Sequence, residues 1–461
     1  MRPTEHSNSG QDVILTPSLA VEESPGKSFV GRETLPLRQA QGQSDILGQS
    51  VMGERQIIHL DMDSYFASIE QRDVSFYQGK PLIVCHTDDT SSNRGVVSSA
   101  SYPARIYGIK SGMTVLEAKK LCPKGIYIKG NYDKYLYNTR KISEICRRYS
   151  DLVEVFSIDE VFIDITPTGH FFGSPVAAGK SIQEAIKKDL GLPATIGIGP
   201  NKLVAKMATE FEKPNGFTVI KKTDLPGILA PLPVRKIVGV GKRTGNYLNS
   251  IGVRTIGDLS RVPLKILEKK YGVIGLFLHQ ASLGIDCSLV VPDATALKIK
   301  SFGHSSSLGS GSRDMLKLKN ILLTLCEGVT RRMRKDSYRG RTVVLRLCFE
   351  RLFSISRSCS LGDLTDLTNR VYSVAVDMLE KEKKLFNKYS ATLIGVSVTN
   401  LVNDELKGRQ VSIFDLLNKR EFDLTKAVDL IRNKYGERII VRGSVLNREK
   451  HFYGVPRIEI L

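Results

Sequence analysis

Apolar residues between positions 56 and 220 fall in short runs that switch between the two-residue period of a strand and the longer period of a helix. The run Gln56-Ile-Ile-His-Leu-Asp61 predicts a buried strand, a helical stretch follows over 65–72, and 81–86 predicts a second strand. Gly95, Gly108 and Gly112 space short elements up to residue 120, and a helix is expected over 134–149. Between Leu152 and Ile165 the alternation VEVF-SIDE-VFIDI predicts two strands about a tight turn. A helix over 181–189 and a strand over 194–199 complete an alternating order, which implies an α/β (α+β) layer on a mixed sheet.

From 225 to 289 the pattern breaks into short helices punctuated by Gly and Pro. After a linker at 290–297, residues 298–403 predict a second α/β unit, with strands at 341–349 and 391–400 and helices at 316–334 and 364–383. A polar linker, an amphipathic helix over 425–435 and an unassigned end follow. Residues 1–54 are rich in Ser, Gly, Gln and Glu and show no sustained period. They predict either a disordered tail or a start-site artefact, since Val51 or Met52 would make a natural beginning.

The length of 461 residues suits roughly three or four domains, and 41% hydrophobic with 25% charged residues suits a chain that buries a real core. No run approaches the ~20 apolar residues of a membrane helix. The opening MRPTEHSNSGQD lacks the basic-then-apolar pattern of a secretory leader, so a membrane or secreted protein is not expected. Charge changes the picture more. Lys and Arg number 67 against 48 Asp and Glu, a net of +19, and residues 298–403 alone hold 19 basic and 9 acidic side chains. Such clustering points to a polyanionic partner, nucleic acid above all, with a solvated basic surface as the plainer alternative. The seven cysteines form no C-x-x-C pair and most lie in apolar runs, which suits reduced core thiols rather than disulfides or a zinc site.

Asp61 and Asp63 close the first strand, and Asp159 and Glu160 are expected in the turn of the 152–165 hairpin. A carboxylate at the end of an apolar strand is costly to desolvate unless something binds it. Two adjacent acids in a regular strand face opposite ways, whereas in a turn both can converge on one site. Hard oxygen ligands of this kind suit Mg²⁺ or Mn²⁺ rather than zinc. Two such ions ~3.5–4 Å apart stabilise both the attacking and the leaving oxygen in phosphoryl transfer. Spacing alone leaves ordinary turn and strand-end acids as an open alternative.

The wording of the motifs narrows this. IIHLDMDSYFASIE at 57–70, GVVSSASYPARIYGIKSGM at 95–113, VFSIDEVFIDIT at 155–166, GIGPNKLVAKMA at 197–208 and KPNG at 213–216 occur in order. Together they resemble the Y-family, or translesion, DNA polymerases, most closely the bacterial DNA polymerase IV (DinB) type, over about residues 56–403. The resemblance implies a multidomain right hand, with a palm at 56–64 and 131–220 and fingers at 65–130. A helical thumb with a helix-hairpin-helix would span 221–290, and an α/β little finger 298–403 after a linker at 291–297. Residues 404–461 would carry a clamp-binding peptide and a helix.

The resemblance further implies a template-directed DNA polymerase of low fidelity, with two Mg²⁺ ions that Mn²⁺ can replace, and without proofreading. Its partners would be primer-template DNA, deoxynucleoside triphosphates and a sliding clamp; it would act as a monomer in the cytoplasm, at the nucleoid. Asp61, Asp159 and Glu160 would be the catalytic, metal-binding carboxylates, with the Met62 carbonyl as a further ligand and Asp63 as a structural acid. Tyr102 and Arg105 in SYPAR and Lys213 in KPNG match positions that contact the triphosphate, and Tyr65 joins this nucleotide-binding set. Phe66 matches the steric gate, an aromatic packed where a ribose 2′-hydroxyl would sit.

In the thumb, Val234-Arg-Lys-Ile-Val-Gly-Val-Gly-Lys-Arg243 resembles a helix-hairpin-helix, in which Gly239, Gly241 and Lys242 would bring backbone amides and a cation to a DNA phosphate. The little finger would grip phosphates through Arg331, Arg332, Arg334, Lys335, Arg339 and Arg341, so that affinity falls with salt. Gln410-Val-Ser-Ile-Phe414 resembles the peptide that docks bacterial polymerases on the sliding clamp, with Gln410 hydrogen-bonding and Ile413 and Phe414 filling an apolar pocket. The other readings are a UmuC-like mutagenesis polymerase, a catalytically silent scaffold for DNA and clamp, and a palm-fold nucleotidyl cyclase.

Overall fold

The computed structural model describes residues 54–87, 90–91, 93–292, 299–350, 353–404, 419–436 and 439–445. β1 (Ile57–Met62) runs into helix α1 (Tyr65–Asp73). β2 (Leu82–His86), β3 (Val96–Ala100) and β4 (Ile126–Lys129) form a small sheet in the order β3–β2–β4, covered by helix α2 (Val115–Leu121). Helix α3 (Tyr132–Arg147) leads to β5 (Val153–Val155) and β6 (Glu160–Asp164), and helix α4 (Pro175–Leu190) to β7 (Ala194–Gly199). Helix α5 (Lys202–Ala208) and β8 (Phe217–Val219) complete the central sheet, ordered β5–β6–β1–β7–β8.

The two faces of β1 do different things. Ile58, Leu60 and Met62 pack into one core with Ile142 and Ile145 of α3 and Ile182 and Ile186 of α4. Fully burying each such side chain contributes about 1.5–3 kcal/mol. Ile57, His59 and Asp61 face the other way, where α5 lies close against the sheet. Gly197 permits that approach: a Cβ there would stand 2.2 Å from the Ala205 carbonyl oxygen. A buried layer thus holds the middle of the sheet and leaves Asp61 at its open end.

Helices α6 (Lys242–Ser250), α7 (Ile256–Ser260), α8 (Leu264–Tyr271) and α9 (Val273–Ser282) surround a separate core of Leu229, Leu248, Ile256, Leu259 and Leu278. The chain then returns to the central sheet. Asn201 Nδ2 donates to the Gly284 carbonyl at 2.7 Å, and the Val291 amide donates to Glu154 at 2.8 Å. The linker expected from residue 290 therefore starts later, since Val290 is buried and Val291 is tied down.

The second α/β unit holds β9 (Ser301–Ser312), helix α10 (Met315–Lys335), β10 (Tyr338–Phe349), β11 (Ser354–Thr365), helix α11 (Thr368–Lys381) and β12 (Ala391–Asn403). Its antiparallel sheet runs β11–β10–β12–β9, and both helices pack on one face against Val343, Leu345, Ile394 and Val396. β11 departs from expectation. Its serine-rich sequence lacks an apolar run, and as an edge strand it needs only β10 beside it. The helix expected from Leu364 accordingly begins at Thr368. Helix α12 (Lys419–Tyr435) is longer than its apolar pattern predicts and lies against α10.

Candidate active site

Register brings the acids together. Asp61 on β1 stands opposite Glu160 on β6 and Thr195 on β7, and directly opposed residues of antiparallel strands share a face. Glu160 therefore opens a strand; the turn expected to hold it consists of residues 156–159. Asp159 ends that turn. Its carbonyl accepts the Met62 amide at 2.9 Å, and its carboxylate accepts the Ser157 hydroxyl at 2.6 Å. The Met62 side chain is core, so the backbone is what it offers the cleft.

Two lysines stand on these acids. Lys213 Nζ lies 2.8 Å from Asp61 Oδ2 and 3.0 Å from Glu210, and Lys206 of α5 meets Glu160. Burial lifts the Asp61 carboxyl to about 7; Lys213 opposes the rise, and Glu160 and Asp159 add to it. Burial likewise raises Asp159, against the Ser157 hydrogen bond and with Glu160. Burial works against the Lys213 charge, yet Asp61 and Glu210 hold its pKa above the ordinary value. Three carboxylates thus face two lysines in the cleft, and burial makes the charged forms of Asp61 and Asp159 costly to keep.

Among the described residues no three His, Cys, Asp or Glu side chains form a ready-made ligand set, and Asp61 and Glu160 are each turned to an ammonium. The donor chemistry nonetheless fits a hard divalent cation, because clustered carboxylate oxygens held out of water are what such an ion neutralises.

The three acids, Phe66, Tyr102 and Arg105 line one cleft of about 290 Å³. Ser64, in the left-handed region at φ 47°, turns the chain sharply from β1 into α1. Tyr65 and Ile69 take the core-facing stripe of α1, which leaves Phe66 at the cleft. Phe66 stacks on Tyr135 with ring centroids 4.2 Å apart and planes at 9°. Tyr65, expected among the nucleotide contacts, also lines the cleft, while its ring is buried and its hydroxyl donates to the Tyr135 carbonyl at 2.9 Å. Tyr102 donates to Asp63 at 3.1 Å; burial, with Asp63 next, pushes its phenol up to about 12. Arg105 Nε donates to the Ala100 carbonyl at 3.0 Å, and its guanidinium lies 4.9 Å from the Tyr102 ring centroid.

Lys206, Thr195 and Tyr135 are site residues that sequence reasoning missed. Lys206 was within reach, one helical turn after Lys202 in GIGPNKLVAKMA. Thr195 and Tyr135 depend on strand register and helix packing, which no local spacing encodes.

Farther off, Gly239 adopts φ +93° and Gly241 is the N-cap of α6, so the Lys242 end of that helix is exposed beyond a glycine turn. The little-finger arginines are arranged differently from expectation. Arg331 donates to Asn433 and lies 3.8 Å from Asp429, while Arg332 donates to the Gly328 and Gly303 carbonyls. Arg334 holds Asp429 at 2.6 Å, and Arg339, buried, holds Asp404. Arg331 and Arg334 have these partners because α12 brings Asp429 to the exposed side of α10, whereas Arg332 meets backbone carbonyls and Arg339 the acid that follows β12. Gln410, Ile413 and Phe414 lie outside the described residues, as does the segment 1–53.

The chain matches the impB/mucB/samB family over residues 60–210 and the C-terminal domain of that family over 299–413. It is 37% identical to a DNA polymerase IV of Moorella thermoacetica over 405 residues, 88% of this chain and 99% of the relative. To a DNA polymerase IV 1 of Bacillus subtilis it is 33% identical, over 86% of this chain and 94% of the relative. A solved Y-family DNA polymerase chimera of Dbh and Dpo4 superposes with a TM-score of 0.68 at 26% identity, over 75% of this chain and 99% of that one. An insertion ternary complex of Dbh DNA polymerase superposes at 0.52, with the same identity and coverage. The chain belongs to the impB/mucB/samB family, the Y-family DNA polymerases. Within it the chain is of the DNA polymerase IV type: a DNA-directed DNA polymerase, a nucleotidyltransferase of low fidelity for translesion synthesis that depends on a divalent metal.

Proposed function

We propose that the cleft at the end of β1 adds deoxynucleotides to a primer, with Asp61, Asp159, Glu160 and the Met62 carbonyl holding two Mg²⁺ ions. Bound there, two such ions would acidify the primer 3′-hydroxyl and take up charge on the triphosphate. Tyr102, Arg105 and Lys213 would bind and orient the phosphates, Arg through paired donors and Lys as a point charge. Lys213 must exchange Asp61 for phosphate as the nucleotide enters, and Lys206 would keep Glu160 in place until then. Phe66, backed by Tyr135, excludes a 2′-hydroxyl. The observation that carries this reading is the register that sets Asp61 against Glu160 in a cleft shared with Phe66, Tyr102 and Arg105. In this reading the palm comprises 56–64 and 131–220, the fingers 65–130, the thumb 221–290 and the little finger 298–403.

Primer extension with Mg²⁺ tests it. Asp159→Ala should abolish nucleotide addition while primer-template binding stays within a few fold, and full activity in that variant refutes the metal site. Tight, salt-sensitive DNA binding without extension by wild type would favour a scaffold instead.

Beyond the cleft, the α6 turn with Gly239, Gly241 and Lys242 would hold a DNA phosphate. The peptide Gln410–Phe414 would dock a monomeric enzyme on the sliding clamp in the cytoplasm. Replacing Gln410 and Phe414 with Ala should remove clamp stimulation and leave clamp-free extension intact; clamp-dependent processivity that survives makes the segment a linker.

A further inference from the structure

Asp63 lies where the nucleotide-contacting elements meet. Its carboxylate, on a residue 1% exposed, accepts from neutral donors on three separate elements. These are the Tyr102 hydroxyl at 3.1 Å, the Thr195 hydroxyl of β7 at 3.0 Å to each oxygen, and the Asn215 backbone amide at 2.7 Å. Its own backbone is fixed on both sides, the amide by the Pro193 carbonyl at 3.1 Å and the carbonyl by the Ser68 hydroxyl at 2.6 Å.

An apolar residue of similar volume would fill this space without the desolvation cost of a carboxyl group. What the acid adds is direction. Each donor is tied to a nucleotide contact or to the acids. Tyr102 is one such contact and begins the helical turn that ends with Arg105. Asn215 follows Lys213 by two residues, and the next amide, Gly216, donates to the Thr195 hydroxyl at 3.4 Å. Thr195 itself stands opposite Asp61 in the sheet.

We propose that Asp63 is a positioning residue for nucleotide binding, which ties Tyr102 and the Lys213 loop to the sheet and so sets the spacing between the phosphate-binding cations and the catalytic carboxylates. It rests on the polymerase reading above. Its carboxylate acts through Tyr102 and Asn215 and touches no phosphate; the Tyr102 hydroxyl has one proton, given to Asp63, so Tyr102 meets the nucleotide through its ring and the helical turn it begins.

Asp63→Asn preserves shape but turns one acceptor into a donor. The Asn215 amide can only donate, so the remaining oxygen goes to it, and the Tyr102 hydroxyl loses its acceptor. Single-nucleotide insertion should show the nucleotide KM raised about tenfold, with kcat and primer-template affinity within about threefold of wild type. Tyr102→Phe should raise KM alone, yet add less than about twofold in the Asp63→Asn background, because the two share one interaction. Thr195→Val, which keeps the carboxylate and removes one donor, should raise KM less, with kcat unchanged. An unaltered KM in Asp63→Asn overturns the proposal. So do fully additive effects with Tyr102→Phe, or parallel losses in kcat, KM and DNA affinity that mark a general folding defect. Failure of wild type to extend a primer would sink the polymerase reading by itself; wild-type extension with a normal Asp63→Asn KM sinks only this inference.

Discussion

The cleft at the end of β1 and the seam between α10 and α12 both set lysines or arginines against carboxylates, with opposite results. In the cleft, Asp61, Asp159 and Glu160 share Lys206 and Lys213, and Asp61 still rises to about 7. In the seam, Asp429 lies between Arg331 and Arg334, and Glu327 between Arg432 and Arg442. Three carboxylates held out of water beside two lysines leave room for a cation from outside. In the seam four arginines share two acids of the same chain, so the charge left over is positive and leaves no such room. Net charge cannot separate the two cases. The +10 of residues 298–403 is partly spent on α12, whereas on the other face of that sheet Arg346 shares its register row with the short residues Ser305, Gly395 and Ser356.

The largest expected contrast lies in the cleft. Phe66→Val should open the space above Tyr135 and raise ribonucleotide use relative to deoxynucleotides by about 10- to 200-fold. Competitive insertion of the two sugars measures this, and unchanged selectivity would remove Phe66 from the gate. An equivalent change in the seam should leave sugar selection untouched.

The two regions were unequally legible. IIHLDMDSYF and VFSIDE are contiguous wordings, so Asp61, Asp159, Glu160 and Phe66 could be picked out with their chemistry. Where Glu160 sits was harder, because strand membership depends on its pairing with Asp61 across the sheet. Tyr65 and Phe66 are neighbours that both line the cleft, and only the core-facing stripe of α1 decides which ring is buried and which is left for the gate. Asp63 reads as a structural acid from the motif, but its partners at 102, 195 and 215 come together through folding alone. In the second unit, Ser354–Thr365 is hard to see because an edge strand with serines lacks an apolar run, and Arg331 reads as a phosphate-gripping cation because Asp429 lies in a distant helix.

A smaller effect sharpens the seam. Arg334 holds Asp429 through two nitrogens, at 2.6 and 3.2 Å, with both side chains mostly buried. A double-mutant cycle with Arg334→Ala and Asp429→Ala should give a coupling of about 1–2 kcal/mol, read from denaturant unfolding or from amide exchange in α12. A coupling near zero would mean that α12 is held by other contacts.

The smallest expected effect is the most discriminating. A cation that contacts a DNA phosphate contributes about 0.9 to the slope of log affinity against log salt, since its binding releases a counterion. Arg331→Ala removes a side chain already committed to Asp429 and Asn433, so the slope for primer-template binding should not change. Arg346, exposed on the opposite face of the sheet, is not held that way by a strand neighbour: Gly395 and Ser356 flank it. Arg346→Ala should therefore lower the slope by about 0.9. If Arg331→Ala lowers it equally, α12 must leave α10 when DNA binds and surrender its arginines to phosphate. The seam would then be a competitor of DNA for the same cations, and the contrast with the cleft would reduce to which anion arrives.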